Sequence, residues 1–252
     1  LATHTLLRLH SSLAEAMLTR LQRFVLRADV RIDAPGDALA AIGVWGPGAV
    51  QLLQQARLPA PDAAEACAAQ GSVQVTRQPS AVPRFELRGP RTALTVPWNL
   101  IAEHATRVGS NAWRLLDILE GVPDISAPTS GHFLAQSLNL DLSGAIHFDK
   151  GCYSGQEIIA RLHYRGRAAR RMYLLRAKGP PPAPGDPVHH LREAAAIGEV
   201  VDAAEAEDGS CAIAAVLRIP HADDGLYLPA APRRALTPPT PFTYARSAAL
   251  SS

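Results

Sequence analysis

The sequence of 252 residues lacks the features that define several common classes of protein. It has only three cysteines, Cys67, Cys152 and Cys211, which lie far apart and include no Cys-x-x-Cys pair. This number and spacing argue against a disulfide framework and a structural zinc site, and they favour a reducing compartment. No apolar run approaches the roughly 20 residues that a membrane-spanning helix needs. We therefore expect a cytoplasmic protein that has no metal site and does not insert into a membrane.

The sequence also has no large excess of charge of one sign, since its 25 basic and 23 acidic residues give a formal net charge of +2. That balance argues against a stable complex with nucleic acid, although a basic surface can still exist locally. Aromatic residues make up only 5% of the chain whereas prolines number 21, which indicates many loops and edge strands rather than a helical bundle. With 47% hydrophobic residues, the chain is too apolar for a disordered protein.

Strand and helix patterns alternate in the first hundred residues. Residues 39–44, 73–76, 84–88 and 92–96 are predicted to be strands, and residues 49–56 a helix. Strand–helix–strand order occurs twice there, which predicts a ferredoxin-like α+β unit.

The segment before this unit carries a helical pattern. A helix is predicted after Ser11 or Ser12, with short strands at 6–9 and 30–32 on either side. Apolar residues at helical spacing predict that one face of this helix is buried: Leu13, Met17, Leu18, Leu21, Phe24 and Val25.

The second half of the chain changes in character. Residues 99–120 are predicted to be mostly helical and residues 124–150 to form loops and short turns. A helix is expected from about Ser154 to His163. After Arg167, short apolar runs separated by proline and glycine clusters predict a small all-β domain.

The segment at 149–157, Asp-Lys-Gly-Cys-Tyr-Ser-Gly-Gln-Glu, concentrates residue types that carry chemistry. Its two glycines allow the backbone to bend tightly. Cys152 stands just before the predicted helix, where exposed N–H groups and the helix dipole favour a thiolate, and Lys150 is close enough to help. The alternative is that the glycines only make a turn and that Cys152 is a small buried hydrophobe.

Further polar residues follow in the predicted helix. Gln156 and Glu157 fall in its first turn, and Arg161 lies one turn beyond Glu157, where the two can form an ion pair. His147 and His163 flank Cys152, but their spacing fits no structural zinc pattern.

The run Lys-Gly-Cys-Tyr-Ser-Gly-Gln-Glu at 150–157, followed by Arg161 and by Tyr-Arg-Gly at 164–166, resembles the signature of the YgfZ family of folate-binding proteins. A related mitochondrial iron–sulfur assembly factor carries a similar motif. Four other segments resemble characteristic segments of the family and occur in the same order along the chain: residues 21–27, 43–46, 113–121 and 136–140. The resemblance covers nearly the whole chain. It departs at the front, because family members carry an additional N-terminal segment, and the sequence here begins at Leu1 without an initiator methionine; we expect it to be incomplete.

The resemblance implies an aminomethyltransferase-like ring of three domains around a central channel that receives tetrahydrofolate. We expect residues 1–98 to form the ferredoxin-like α+β domain and residues 99–167 to form the rest of the folate-binding first domain, which carries the signature. Residues 168–252 are expected to form a C-terminal β-barrel.

The resemblance also implies roles for particular residues. Cys152 and Lys150 match the signature residues most closely associated with function. Cys152 as an activated thiolate would act as a nucleophile, a redox group or a transient ligand of iron or of a cluster. Trp113 matches a tryptophan that lines the folate site, where an indole can stack on a flat pterin; the alternative is an ordinary core tryptophan. The other residues expected beside the folate are Tyr153, Gln156, Glu157 and Arg161.

A basic cluster follows the signature. An arginine is well matched to the carboxylates of the folate glutamate tail, and equally to RNA phosphates. A solvated basic face is the third interpretation, and it suits most of the five arginines. They are Arg161, Arg165, Arg167, Arg170 and Arg171.

Three functions are compatible with these residues. The first is a tetrahydrofolate-binding accessory protein for the assembly or repair of iron–sulfur proteins, including tRNA-modifying enzymes, which are then its partners. The second is a folate-dependent aminomethyl or one-carbon transferase, although the glycine-cleavage enzyme lacks a Lys-Gly-Cys signature at this position. The third is a non-catalytic scaffold that binds protein or RNA. The sequence leaves open whether the chain catalyses a reaction.

Overall fold

The computed structural model describes residues 5–148, 150–153, 155–166, 168–230 and 232–244. The chain divides into two compact units, one formed by Arg31–Gly109 and the other by Leu1–Val30 together with Ser110–Arg246. The expected three-domain division at residues 98 and 167 stays a prediction. None of the helices among the described residues has the length and apolarity needed to cross a membrane.

The secondary structure mixes helices and strands, as the sequence predicts. The helices are α1 (Ala14–Gln22), α2 (Ala49–Gln55), α3 (Arg91–Ala102), α4 (Ser110–Leu119) and α5 (Gln156–Arg165). The longer strands are β1 (Leu39–Trp45), β2 (Cys67–Gln70), β3 (Val73–Arg77), β4 (Arg84–Pro90), β5 (Arg170–Lys178), β7 (Gly198–Glu205) and β8 (Ser210–Arg218). The shorter ones are β6 (Pro187–His190), β9 (Leu226–Leu228), β10 (Arg234–Ala235) and β11 (Thr240–Pro241).

The unit of Arg31–Gly109 is built on a four-stranded antiparallel sheet in the order β1-β4-β3-β2. Helices α2 and α3 pack together, and the core holds Leu53, Phe85 and Leu87, each of which is fully buried. The predicted strand at 92–96 is wrong, because these residues belong to α3. The helix buries Leu94, Pro97 and Ile101, which share one face at helical spacing.

The second unit is built on a curled seven-stranded sheet in the order β10-β9-β6-β7-β8-β5-β11. Strands β5 and β8 pair along their whole length, from Arg170 opposite Arg218 to Lys178 opposite Ser210. Residues 211–217 of β8 are all buried because both faces of the strand are covered. Helix α4 packs on β7 and β8 and contributes Ile118 to the core.

The first helix differs from expectation. Residues 5–10 are irregular, a 3₁₀ turn covers Ser11–Leu13, and α1 follows. The strands predicted at 6–9 and 30–32 are wrong. None of the residues of α1 is buried, and Phe24 beyond it is 72% exposed, so the predicted buried face is also wrong within the described residues. Helical spacing identifies an apolar face but not what covers it.

Candidate functional site

The signature segment forms an irregular stretch that leads into α5. Gly155 is the residue before the helix and has φ +88°, a left-handed conformation that strains any residue with a Cβ. The space around its Cβ position is open, so the backbone angle and not crowding requires glycine here. The helix begins at Gln156, two residues after the predicted start at Ser154, which lies outside the described residues.

Gln156 holds the segment to the helix. Its Oε1 accepts a hydrogen bond from the backbone N–H of Tyr153 at 3.1 Å, and its own N–H donates to the carbonyl of Tyr153 at 3.3 Å. These reciprocal bonds close a turn immediately before the helix and satisfy both backbone polar groups of Tyr153. Gln156, expected at the folate site, therefore has a structural partner in Tyr153, which was expected there as well.

Lys150 and Cys152 both lie at the surface. The Lys150 ammonium is 4.5 Å from the centre of the Tyr153 ring, a cation–π contact worth about 0.5–1 kcal/mol at an exposed site. Cys152 is an exposed free cysteine, so it is not the small buried hydrophobe of the alternative interpretation. The structure thus brings together Lys150, Tyr153 and Gln156 on the segment that carries the exposed Cys152.

Helix α5 is anchored by a buried glutamine that the sequence analysis did not single out. Gln136 is 2% exposed, and its Nε2 donates to the carbonyl of Ile159 in α5 at 2.7 Å. The carbonyl of Gln136 in turn accepts from Arg171 at 2.7 Å, and Arg171 forms a two-point ion pair with Asp141. This chain of contacts connects the signature helix to β5. The only sequence signal was that Gln136 opens one of the stretches that resemble family landmarks.

Glu157 and Arg161 are both exposed on α5, one turn apart. The expected ion pair between them is not among the ion pairs formed by the described side chains. Both charged groups are therefore presented to solvent, where a ligand can reach them. Of the basic cluster, the side chain of Arg165 and all of Arg167 lie outside the described residues.

Trp113 lies on α4, in the same unit as the signature segment but on a different helix. Its side chain is half-buried, so part of the indole is accessible. Helix α4 packs on β7 and β8, whereas α5 packs on the 3₁₀ turn Ala135–Leu138.

A charged cluster that the sequence analysis missed surrounds α4. Asp202 lies at a bulge in β7, is 3% exposed, and accepts a hydrogen bond from Arg114 Nε at 2.7 Å. This bond raises the pKa of Arg114. Arg8 lies 3.4 Å from the buried carboxylate of Asp117. Burial is the main cause that raises the pKa of Asp124, and the nearby charges of Asp202 and Asp117 raise it further. The charges of His10 and Arg8 act in the opposite direction.

Within the described parts of the chain, no group of three or more His, Cys, Asp or Glu side chains is placed to hold a metal ion.

Comparison with known proteins places this geometry in a family. No protein-family model matches the chain. It is 32% identical over 230 residues to the tRNA-modifying protein YgfZ of Colwellia psychrerythraea, a match that covers 89% of this chain and 68% of that protein. It is 32% identical over 221 residues to the tRNA-modifying protein YgfZ of Sodalis glossinidius, which covers 85% of this chain and 66% of that protein. The chain thus spans about two thirds of the length of these relatives.

The fold is similar to that of a solved enzyme structure. Aminomethyltransferase T of the glycine cleavage system from Bartonella henselae superposes with a TM-score of 0.62 at 16% identity, covering 93% of this chain and 67% of that one. At that identity the likeness concerns the fold alone, and it confirms the predicted aminomethyltransferase-like α+β fold. Because the sequence matches extend over most of the chain and include the signature segment, the chain belongs to the YgfZ family.

Proposed function

We propose that this chain is a tetrahydrofolate-binding accessory protein that acts in the cytoplasm and supports the assembly or repair of iron–sulfur proteins, including tRNA-modifying enzymes. Membership of a family whose relatives are named tRNA-modifying proteins supports the link to tRNA modification. The aminomethyltransferase-like fold supports a folate ligand. The observation that carries the proposal is the exposed Cys152 thiol on a segment that Gln156 fixes to α5.

The chemistry of the available side chains fits a folate. The molecule has a flat pterin, which stacks on aromatic rings, and a glutamate tail, whose carboxylates pair with arginine. Trp113 leaves part of its indole accessible, and Arg161 is exposed. We assign Trp113 and Tyr153 to the pterin and Arg161 to the tail, while Glu157 can accept hydrogen bonds from pterin N–H groups. Bound tetrahydrofolate would supply a carrier of one-carbon units.

Cys152 acts on the client protein in this proposal. Iron–sulfur clusters normally take four protein ligands, so one exposed cysteine does not hold a cluster by itself. A thiol at the surface can instead contact the iron of a client transiently. Gln156 acts as a positioning residue because it fixes the backbone next to the thiol.

A paired substitution tests the role of Cys152. The chain is expressed in bacteria that lack their own relative, and nucleosides made by iron–sulfur tRNA-modifying enzymes are quantified by mass spectrometry. Cys152→Ser should abolish rescue and leave tetrahydrofolate binding intact, whereas Cys67→Ser, which changes the other exposed thiol, should rescue fully. Full rescue by Cys152→Ser would refute the role of the thiol.

The likeness to an aminomethyltransferase keeps a folate-dependent one-carbon transferase as the second candidate. In that case the purified chain should form a one-carbon-substituted tetrahydrofolate from an aminomethyl donor at a rate above the background reaction. A non-catalytic scaffold should instead show neither this turnover nor dependence on Cys152.

A further inference from the structure

Three aromatic rings lie together beside the signature segment, and the proposed function does not use them. Phe148 and His163 stack with ring centres 3.7 Å apart and planes 20° from parallel. Tyr164 stands nearly perpendicular to His163, with centres 4.7 Å apart. We call Phe148, His163 and Tyr164 the aromatic platform. All three belong to one unit of the chain.

The platform is accessible. Tyr164 is 68% exposed, His163 is exposed, and Phe148 is half-buried. Aromatic rings normally bury most of their surface in a core or interface, so flat rings held in fixed stacking contact at the surface indicate a ligand with a flat face of its own.

The platform lies in the most basic stretch of the chain. Residues 158–185 contain six arginines and one lysine but no aspartate or glutamate. Arg161 is exposed on α5, one turn before Tyr164, and Arg170 is exposed at the start of β5. Arg165 and Arg170 are five positions apart in the sequence, so their Cα atoms are within about 17 Å. Asp141 engages Arg171, and Glu157 is the exposed acid on α5.

We propose that the aromatic platform, together with Arg161 and Arg170, binds single-stranded nucleic acid. Rings that stack on bases and cations that track phosphates are the combination by which proteins bind unpaired strands without strict sequence preference. The charge favours this ligand over a protein partner, since the exposed Arg161 and Arg170 lie in a stretch that contains no acid and therefore suits a polyanion. The overall charge of +2 is consistent with binding that is transient and sensitive to salt.

The proposal does not depend on folate or on iron–sulfur clients, so it is tested without either. A fluorescently labelled 12-nucleotide strand of mixed sequence is titrated with the 252-residue chain at low salt, and anisotropy is measured. Tyr164→Ala should weaken binding about 5- to 150-fold, because stacking on one aromatic ring contributes that much. Tyr164→Phe keeps the ring and should bind like the original chain.

A matched control lies on β9. Tyr227 stacks on His189 with centres 5.5 Å apart and has Arg233 4.8 Å from its ring, so it has the same kinds of contact at another surface. Tyr227→Ala should leave the affinity unchanged. Arg161→Gln should reduce the slope of log K against log salt by about 0.7, the contribution of one phosphate contact on a single strand.

Titrations with RNA and with DNA of the same sequence show which of the two nucleic acids the chain prefers. Binding of either strand that Tyr164→Ala weakens supports the proposal. Equal binding of a duplex, or equal losses in Tyr164→Ala and Tyr227→Ala, would overturn it. Absence of binding at low salt would also overturn it and assign the platform to a protein partner.

Discussion

Arg171 is expected to stabilise the segment that carries Gln136, the anchor of the signature helix, and Arg171→Met tests this. The guanidinium donates to the Asp141 carboxylate at 2.5 and 2.8 Å and to the Gln136 carbonyl at 2.7 Å. Methionine keeps the apolar stem but removes all three bonds. The Asp141 side chain, which is only 15% exposed, then has no cation beside it.

The magnitude follows from this partial burial. Removing one member of a buried ion pair costs about 3–5 kcal/mol, and exposed pairs contribute about 0–1 kcal/mol. With side chains 21% and 15% exposed, the pair lies between these cases but nearer the first, so we expect a loss of about 2–3 kcal/mol. For a chain of this size that corresponds to a fall of roughly 4–12 °C in Tm.

Differential scanning calorimetry measures this change. Arg192→Met is the matched control in the same unit, because Arg192 and Asp223 are 77% and 48% exposed and lie 3.4 Å apart. It should change Tm little. In a double-mutant cycle, Asp141→Leu combined with Arg171→Met should cost less than the sum of the single changes. Equal Tm shifts for Arg171→Met and Arg192→Met would refute the reasoning.

Three further predictions concern thiols, packing and pH. Ellman's reagent should modify Cys67 and Cys152 in the native chain and Cys211 only after denaturation, because only Cys211 is buried; fast reaction of all three would contradict the structure. Gly198→Ala should destabilise the chain by about 1–3 kcal/mol in urea unfolding, since its Cβ would lie 2.4 Å from the Val216 carbonyl oxygen, whereas Gly48→Ala has open space and should be tolerated. Because burial raises the pKa of Asp124 in the folded state, the stability this group contributes is present below its unfolded pKa of 3.8 and is lost as pH rises through the folded pKa. Asp124→Asn should therefore raise Tm near neutral pH and lose this advantage below about pH 4, and an advantage that persists there would exclude the ionisation as its cause.

Strand and helix types could be predicted where the local pattern and the packing agree. The strand predicted at 39–44 and the short strands predicted after Arg167 reappear as β1 and the seven-stranded sheet. The β-branched residues at 92–96 suggested a strand, yet this segment is helical because Leu94, Pro97 and Ile101 meet the core only at helical spacing. The strand Cys67–Gln70 was missed because its alanines carry little strand preference, and its pairing with β3 supplies the stability.

The candidate site could be proposed from sequence because its chemistry is concentrated in consecutive residues. Lys150, Tyr153 and Gln156 are near neighbours in the chain, and local geometry alone brings them together. The anchors of the helix could not be predicted in this way. Gln136 and Arg171 are 35 residues apart, and only the pairing of distant segments puts their hydrogen bond in place.

Tetrahydrofolate binding is the central claim, and isothermal titration calorimetry of the purified chain with tetrahydrofolate tests it most directly. We predict saturable binding that Trp113→Ala weakens at least tenfold. Trp98→Ala is the matched control, because Trp98 is 39% exposed on α3 in the other unit, and it should bind like the original chain. Absence of binding at millimolar tetrahydrofolate, or equal affinity in Trp113→Ala and the original chain, would contradict the account.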